Sequence, residues 1–408
     1  MESNREGRRT SVVKQGLIAA LIAILPIGAL LAALASLPHV AEHAHGAAHG
    51  LLRSLYAKVE WLFSKSIDNI VENFVELCTA PFSFGDRLHW VNLLGFCVFA
   101  AIAVAVHYRG TPRMGVRGFV KFLFPVEYYK HPSALIDYQV YLVNRIFTPV
   151  RPLTRALSDA AIAGVVISAL SACFGPPLGA ALPGIVGIVL YTLLVVTVGD
   201  FVGWLGHAIL HRVPALWEFH KLHHSAEVLI PLTYYRIHPV EEIVGTILSV
   251  LINGTFSGVI AFVLLEQPSL LTIFGVSAVI AVFQAAGSNL RHSHIWLSWG
   301  PVLSRILISP AQHQIHHSVD PRHYGKNYGS IFAIWDWMFG TLYVPKEKEQ
   351  LTFGLATPQI HPTLWAAYVV PFKSARQVFV RSLRAKRVQP VALPVAATGD
   401  AGFNDRTA

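Results

Sequence analysis

Cysteine and charge are both scarce in this chain. Of its 408 residues only Cys78, Cys97 and Cys173 are cysteine, and no two of them stand in a CxxC spacing. That spacing argues against a cysteine-held iron-sulfur cluster and against a disulfide framework, so any electrons the protein uses must be delivered from elsewhere. Charged residues make up 13% of the chain and hydrophobic residues 53%, with a mean hydropathy of +0.50. Soluble domains carry about twice that charge, and the balance here is that of a protein with several membrane spans. The net charge of +9 does not indicate nucleic acid, because no base-stacking aromatics are interleaved with the basic residues. Charge that orients a protein in a bilayer accounts for it, and no nucleic-acid partner is expected.

Histidine, by contrast, is plentiful, and it is clustered. His207 and His211 stand four apart, followed by His220, His223 and His224; farther on come His292 and His294, then His313, His316 and His317. Side chains at i, i+3 and i+4 share a helix face, so each HxxHH triplet is expected to aim three imidazoles at one spot. A separate group, His39, His43, His45 and His49, lies in a Gly/Ala-rich stretch without a second ligand type and reads as a solvated loop.

Apolar runs long enough for spans cover 16–37, 91–106, 178–198, 243–265 and 270–286, with a shorter one at 160–174. The first could also be a removed export signal, since Arg8 and Arg9 precede it. Residues 108–155 hold eight Lys or Arg against two Asp or Glu, the bias of a cytoplasmic loop, which places 38–89 on the outer side. Pairing 160–174 with 178–198, and 243–265 with 270–286, gives two membrane hairpins that return both histidine stretches to the basic side. The expected fold is an all-α integral membrane protein: a multi-span bundle of hairpins with a cytoplasmic, histidine-rich helical cap. Three regions follow: 1–158, an N-terminal membrane region with the basic loop; 159–345, the histidine-bearing unit; and 346–408, a basic tail with a disordered end. Alanine-rich composition suggests a bacterial inner membrane.

Eight histidines, His207, His211, His220, His223, His224, His313, His316 and His317, are too many for one ion. Two ions with three to five nitrogens each would use them and leave positions open, and a redox-active pair would suit dioxygen activation.

In their order, HAILH, FHKLHHS and HQIHHS, with YYRIHP after the second and NYGSIFAIWDWMFGTLY after the third, closely resemble the histidine boxes of the fatty acid hydroxylase/sterol desaturase superfamily. The resemblance covers roughly residues 195–345 and implies a non-heme diiron oxygenase that hydroxylates or desaturates a lipid drawn from the bilayer. It implies two iron ions, for which zinc could substitute, and dioxygen. No fused cytochrome is visible, so an external reductase, ferredoxin or cytochrome is expected. By motif position the eight histidines become ligands and His292 a ninth; no catalytic residue beyond the ligands is expected. His294, standing where the family commonly has asparagine, is a candidate ligand or ligand-supporting group, as are His238, Asp200, His323 and Asn327. Asp336 is expected to fix the fold after the last box. Two other classes fit a histidine-rich membrane protein. A metal transporter would place its ligands at mid-membrane, and a zinc-stabilised non-catalytic protein would fill every metal position.

Overall fold

The computed structural model describes residues 70–83, 86–108, 115–147, 158–178, 184–265, 270–356 and 363–387. The first apolar run, the histidines between His39 and His49, and residues 388–408 lie outside the described residues. Among the described residues the structure is helical and has no β-strand beyond two isolated bridges. The principal helices are α1 (Ile70–Thr79), α2 (Trp90–His107), α3 (Val116–Leu123), α4 (Pro132–Phe147), α5 (Asp159–Phe174) and α6 (Gly184–Arg212). They are followed by α7 (Pro214–His224), α8 (Pro239–Leu264), α9 (Leu270–Ala285), α10 (Pro310–His316) and α11 (Leu364–Arg387).

Three of these, α2, α6 and α8, are long and apolar enough to cross a membrane. The organising element is α6. Its 29 residues span about 43 Å at 1.5 Å per residue, more than the roughly 30 Å of a hydrocarbon core. The apolar part, with Ile185, Val189, Leu193 and Leu194 exposed, can therefore lie in lipid while His207 and His211 project beyond it on the same rod. Pro214 then sits in the first turn of α7, where a missing N–H costs nothing, and turns the chain into the second box.

α5 packs chiefly on the second half of α8, and α9 packs on α6 and α2. Glycine explains the first pairing: a Cβ at Gly258 would stand 2.8 Å from the Ala163 carbonyl oxygen, and one at Gly254 would stand 3.0 Å from that of Asp159, so the backbones approach as only small residues allow. Ser249 Oγ and Asn253 Nδ2 donate to the Asp159 carboxylate at 3.0 and 2.7 Å. They do so from a π-helical turn, Ser249–Gly254, inside α8. This occupies the asparagine of the Asn253-Gly254-Thr255 sequon.

The placement of 38–89 across the membrane from 108–155 does not hold for the described residues 70–89. Asp86 forms an ion pair with Arg145, and Asn73 Nδ2 donates to the Ile146 carbonyl, contacts that cannot bridge a bilayer. Both ends of α2 meet the histidine-bearing region. Asn289 Nδ2 donates to the Arg87 carbonyl at 3.0 Å, and at the far end Trp296 N–H donates to Tyr108 Oη at 3.2 Å. Between them Phe96, Ala100 and Ala103 pack on Leu290, Ile295 and Leu297, while Trp90, Leu94, Val98 and Val106 remain exposed. α2 thus runs along this unit and turns an apolar face outward.

In the C-terminal region, α11 packs on α7. Leu364 and Ala367 close over Leu222, and Phe372 meets Phe219 edge-on.

Candidate metal centre

Nine of the predicted ligands converge. His207, His211, His220, His224 and His316 form one group and His223, His292, His313 and His317 a second; within each, one ring nitrogen per residue lies within 4.8 Å of all the others. The groups adjoin, with ring centroids 4.5 Å apart for His224 and His317 and 5.4 Å for His220 and His223.

The expectation that each HxxHH aims at one spot is corrected. In the second box the i and i+4 histidines, His220 and His224, enter the five-membered group and His223 enters the other. In the third box His313 and His317 enter the four-membered group and His316 crosses over. The reason is helical geometry: i+3 and i+4 diverge by about 100° around the axis, enough for neighbouring rings to serve sites on either side of one helix.

Hydrogen bonds hold the rings from behind. His207 Nδ1–H donates to the Tyr328 carbonyl at 2.9 Å and His316 Nδ1–H to the Lys326 carbonyl at 2.8 Å. His220 Nδ1 lies 2.9 Å from Glu241 Oε1. The two carbonyls select the tautomer whose Nε2 lone pair faces the group, and the Glu241 carboxylate sets a negative charge beside His220. The Nε2 atoms of His211, His220, His224 and His316 are buried with no partner, an arrangement that costs free energy unless a Lewis acid takes the lone pairs. In the other group the Nε2 atoms of His292 and His223, His313 and His292, and His317 and His313 are 3.2, 3.0 and 3.2 Å apart. An ion bound at about 2.1 Å to each nitrogen gives edges of about 3.0 to 3.4 Å, so the donor set fits a metal in both places.

Burial keeps the rings neutral. It pushes His220 and His223 down to about 3, and it pushes His224, His292, His313, His316 and His317 well below the ordinary imidazole range, with neighbouring rings adding to the effect. A neutral imidazole is the form that ligates. Arg291, beside His292, is lowered by burial to about 9 and is cationic at neutral pH.

The remaining candidates lie elsewhere. His294 Nε2–H donates to the Phe122 carbonyl at 2.8 Å and its ring meets Tyr128. His238 caps α8, with Nδ1 accepting from Val240 N–H and Nε2–H donating to the Tyr368 carbonyl. Asp200 holds no imidazole; it accepts from the N–H groups of Ile331 and Phe332 and from Trp335 Nε1, pinning the segment after the last box onto α6. His323 meets Glu349 at 3.1 Å. Asn327 adopts a left-handed φ of 57°, donates to the Gln312 carbonyl and accepts from Tyr343 N–H. Asp336 behaves as expected: wholly buried, it accepts from Trp204 Nε1, Tyr328 N–H and Gly329 N–H.

Sequence reasoning missed Glu241, Gln314 and Arg236. Glu241 could have been noticed as an acid opening an otherwise apolar span. Gln314 Nε2 lies 2.9–3.0 Å from the carbonyls of Leu290, Ser293 and Ile295 and so ties the His292 segment to α10. Arg236, wholly buried, joins Asp137 at 2.9 Å, Ser225 Oγ at 2.8 Å and the Leu222 carbonyl at 3.0 Å, fixing the end of α7 to α4. No local pattern marks either residue.

A cavity of about 400 Å³ opens onto the histidines. Its walls are α6 (Gly199, Gly203, Leu210) and α8 (Gly245, Leu248), and His207, His220, His223, His292 and His313 line it. A second cavity, of about 510 Å³, reaches His211, His224, His316 and His317 from the other side, past Trp217, Lys221 and Tyr324.

A helical membrane-type scaffold thus carries, beside a cavity, two imidazole groups that could each hold a metal ion. Residues 192–341 match the model of the fatty acid hydroxylase family, the likeness that the boxes had implied. The curated relatives include a zebrafish (Danio rerio) alkylglycerol monooxygenase, 33% identical over 37% of this chain and 30% of its own length. An ornithine lipid hydroxylase, OlsE, of Rhizobium tropici is 28% identical over 44% and 50%, and a putative Δ(7)-sterol-C5(6)-desaturase 2 of Arabidopsis thaliana is 30% identical over 40% and 53%. The chain thus spans about a third to a half of the length of these relatives. No solved structure matches it.

Proposed function

We propose that this protein is a membrane-embedded diiron oxygenase that hydroxylates or desaturates a lipid, using dioxygen and an external electron donor: a reductase, ferredoxin or cytochrome. The observation that carries the reading is the convergence of nine histidines in two groups at the inner end of a cavity walled by two span-length helices. His207, His211, His220, His224 and His316 would hold one iron and His223, His292, His313 and His317 the other. Zinc fits the same nitrogens but cannot cycle electrons.

When bound, the iron pair supplies dioxygen activation and the one-electron chemistry that side chains cannot. The chain supplies the rest. It buries the imidazoles so that they stay neutral. It orients two of them through the Tyr328 and Lys326 carbonyls and sets Glu241 beside a third, His220. It also shapes a narrow cavity between α6 and α8 in which a hydrocarbon segment can be held against the metal face. The reactions for which these relatives are named differ, but each name is that of an enzyme acting on a lipid, and a cavity between membrane-type helices suits that class.

Residues 159–345 form the catalytic unit in this reading, 1–158 and 346–408 the flanking regions. The basic loop puts the site on the cytoplasmic side of a membrane, and composition favours a bacterial inner membrane. A transporter is disfavoured because the histidines gather at and beyond helix ends.

The test is purification with metal analysis, dioxygen uptake on reduction, and mass spectrometry of lipids from cells with and without the gene. Two irons per chain, uptake, and a lipid gaining one oxygen or losing two hydrogens are expected. A redox-silent metal with an unchanged lipid profile would overturn the proposal.

A further inference from the structure

Two arginines face the cavity in front of the histidines, and among the described residues neither forms an ion pair. Arg291 is only 5% exposed yet lines the cavity together with His223, His292 and His313. Its guanidinium lies 5.2 Å from the Phe283 ring centroid. Arg87 reaches the same cavity from the chain just before α2, with its guanidinium 4.2 Å from the Tyr234 centroid and its Nε buried without a partner. Its backbone is fixed at both polar groups, N–H donating to Tyr235 Oη and the carbonyl accepting from Asn289, so the side chain is held at the cavity wall.

The nearby acids are engaged elsewhere: Asp200, whose charge acts on Arg291, accepts from the N–H groups of Ile331 and Phe332 and from Trp335 Nε1. Asp86 pairs with Arg145 and accepts from Tyr235 Oη. Glu241 lies against His220. Glu242 lines the cavity and has interactions of its own, but among the described residues no carboxylate forms an ion pair with either arginine. A buried guanidinium left without an acceptor is costly, and its planar fork suits the oxygens of a carboxylate or phosphate. Arg87 also borders a neighbouring polar cavity of about 660 Å³ lined by Tyr141, Asn144 and Arg145, so it stands where a polar chamber meets the apolar one.

We infer that Arg87 and Arg291 form an anion subsite that receives the oxyanion headgroup of the lipid, so that oxidation falls within a few bonds of that headgroup and not at the tail. Arg291 immediately precedes His292 and shares its cavity, so a headgroup on it lies beside the four-histidine group. Meanwhile the chain is left to run between Gly203 and Gly245, where an added Cβ would meet nothing within 4 Å. This inference rests on the lipid-oxygenase reading.

The test uses full-length protein loaded with zinc, so that nothing turns over, in neutral detergent. Hexadecanol, hexadecanoate and hexadecyl phosphate compete against radiolabelled hexadecanol, and the two anions distinguish a carboxylate from a phosphate headgroup. At least one anion is expected to compete about tenfold or more better than the alcohol, or about 1.4 kcal/mol. R291Q and R87Q should bring that ratio close to one while the alcohol still binds, and R291K should keep most of it. Equal competition by all three ligands, or a ratio untouched in both glutamine variants, would overturn the subsite alone. Failure of the alcohol itself to bind would remove the lipid reading along with it.

Discussion

In the five-histidine group His207 and His316 are held from behind by main-chain carbonyls, and His220 Nδ1 faces Glu241 Oε1 at 2.9 Å without hydrogen-bond geometry. In the four-histidine group the Nδ1 atoms of His223 and His313 are buried with no partner, and the rings touch chiefly through the Nε2 atoms that would bind metal. The first draws two ligands from one long helix, α6; the second takes His292 from an irregular segment held by the Gln314 clamp. Backing partners commonly change metal affinity by about 10–100-fold, so the comparison teaches that the two ions should differ in hold although both are built from the same boxes.

The sharpest way to break the comparison uses adjacent residues. Because the boxes are divided, His223→Ala/His224→Ala should strip both ions and abolish activity. His220→Ala/His224→Ala, confined to one group, should leave about one metal per chain. Equal loss from both variants, measured as metal-to-protein ratio, would erase the distinction.

Arg236→Ala comes next. It leaves Asp137 buried and unpaired and frees the end of α7, which feeds both groups. Removing one partner of a buried ion pair costs about 3–5 kcal/mol, and thermal unfolding should show a loss of that order with both metals weakened together. Glu241→Gln is smaller and one-sided. Metal affinity of the five-histidine group should fall about 10–100-fold, while the other ion, followed by chelator titration, stays put. Equal weakening of both would show that Glu241 does not discriminate between them.

The gentlest probe is acid. His220 and His223 are near 3 when folded and about 6.5 when unfolded, so between those values the unfolded chain binds protons that the folded chain does not. Their contribution is present above about pH 6.5 and is lost as pH falls toward 3. The unfolding midpoint of metal-free protein should therefore drop between pH 7 and pH 5. A midpoint that rises or stays level would contradict this.

Much of the centre was legible because its parts are local patterns: histidines three and four apart on helices, beside apolar runs. That they meet was legible from topology. Which ring joins which group was not, because it depends on how α7 and α10 are rotated against α6, which tertiary packing decides. His238, His294 and Asp200 misled for a related reason: a buried polar group near a site looks the same in sequence whether it serves a metal or a main-chain N–H or carbonyl. The sidedness expected for 38–89 does not hold for its described residues, because apolar length alone does not distinguish a crossing helix from one that lies along its own protein, as α2 does beside Leu290 and Ile295.

The central claim is that each HxxHH box is shared between two ions. Anomalous diffraction at the iron edge from crystals of the loaded protein tests it directly. Two peaks are predicted, one within bonding distance of His220, His224 and His316 and the other of His223, His313 and His317. A single peak, or two peaks each bound by one whole box, would contradict it.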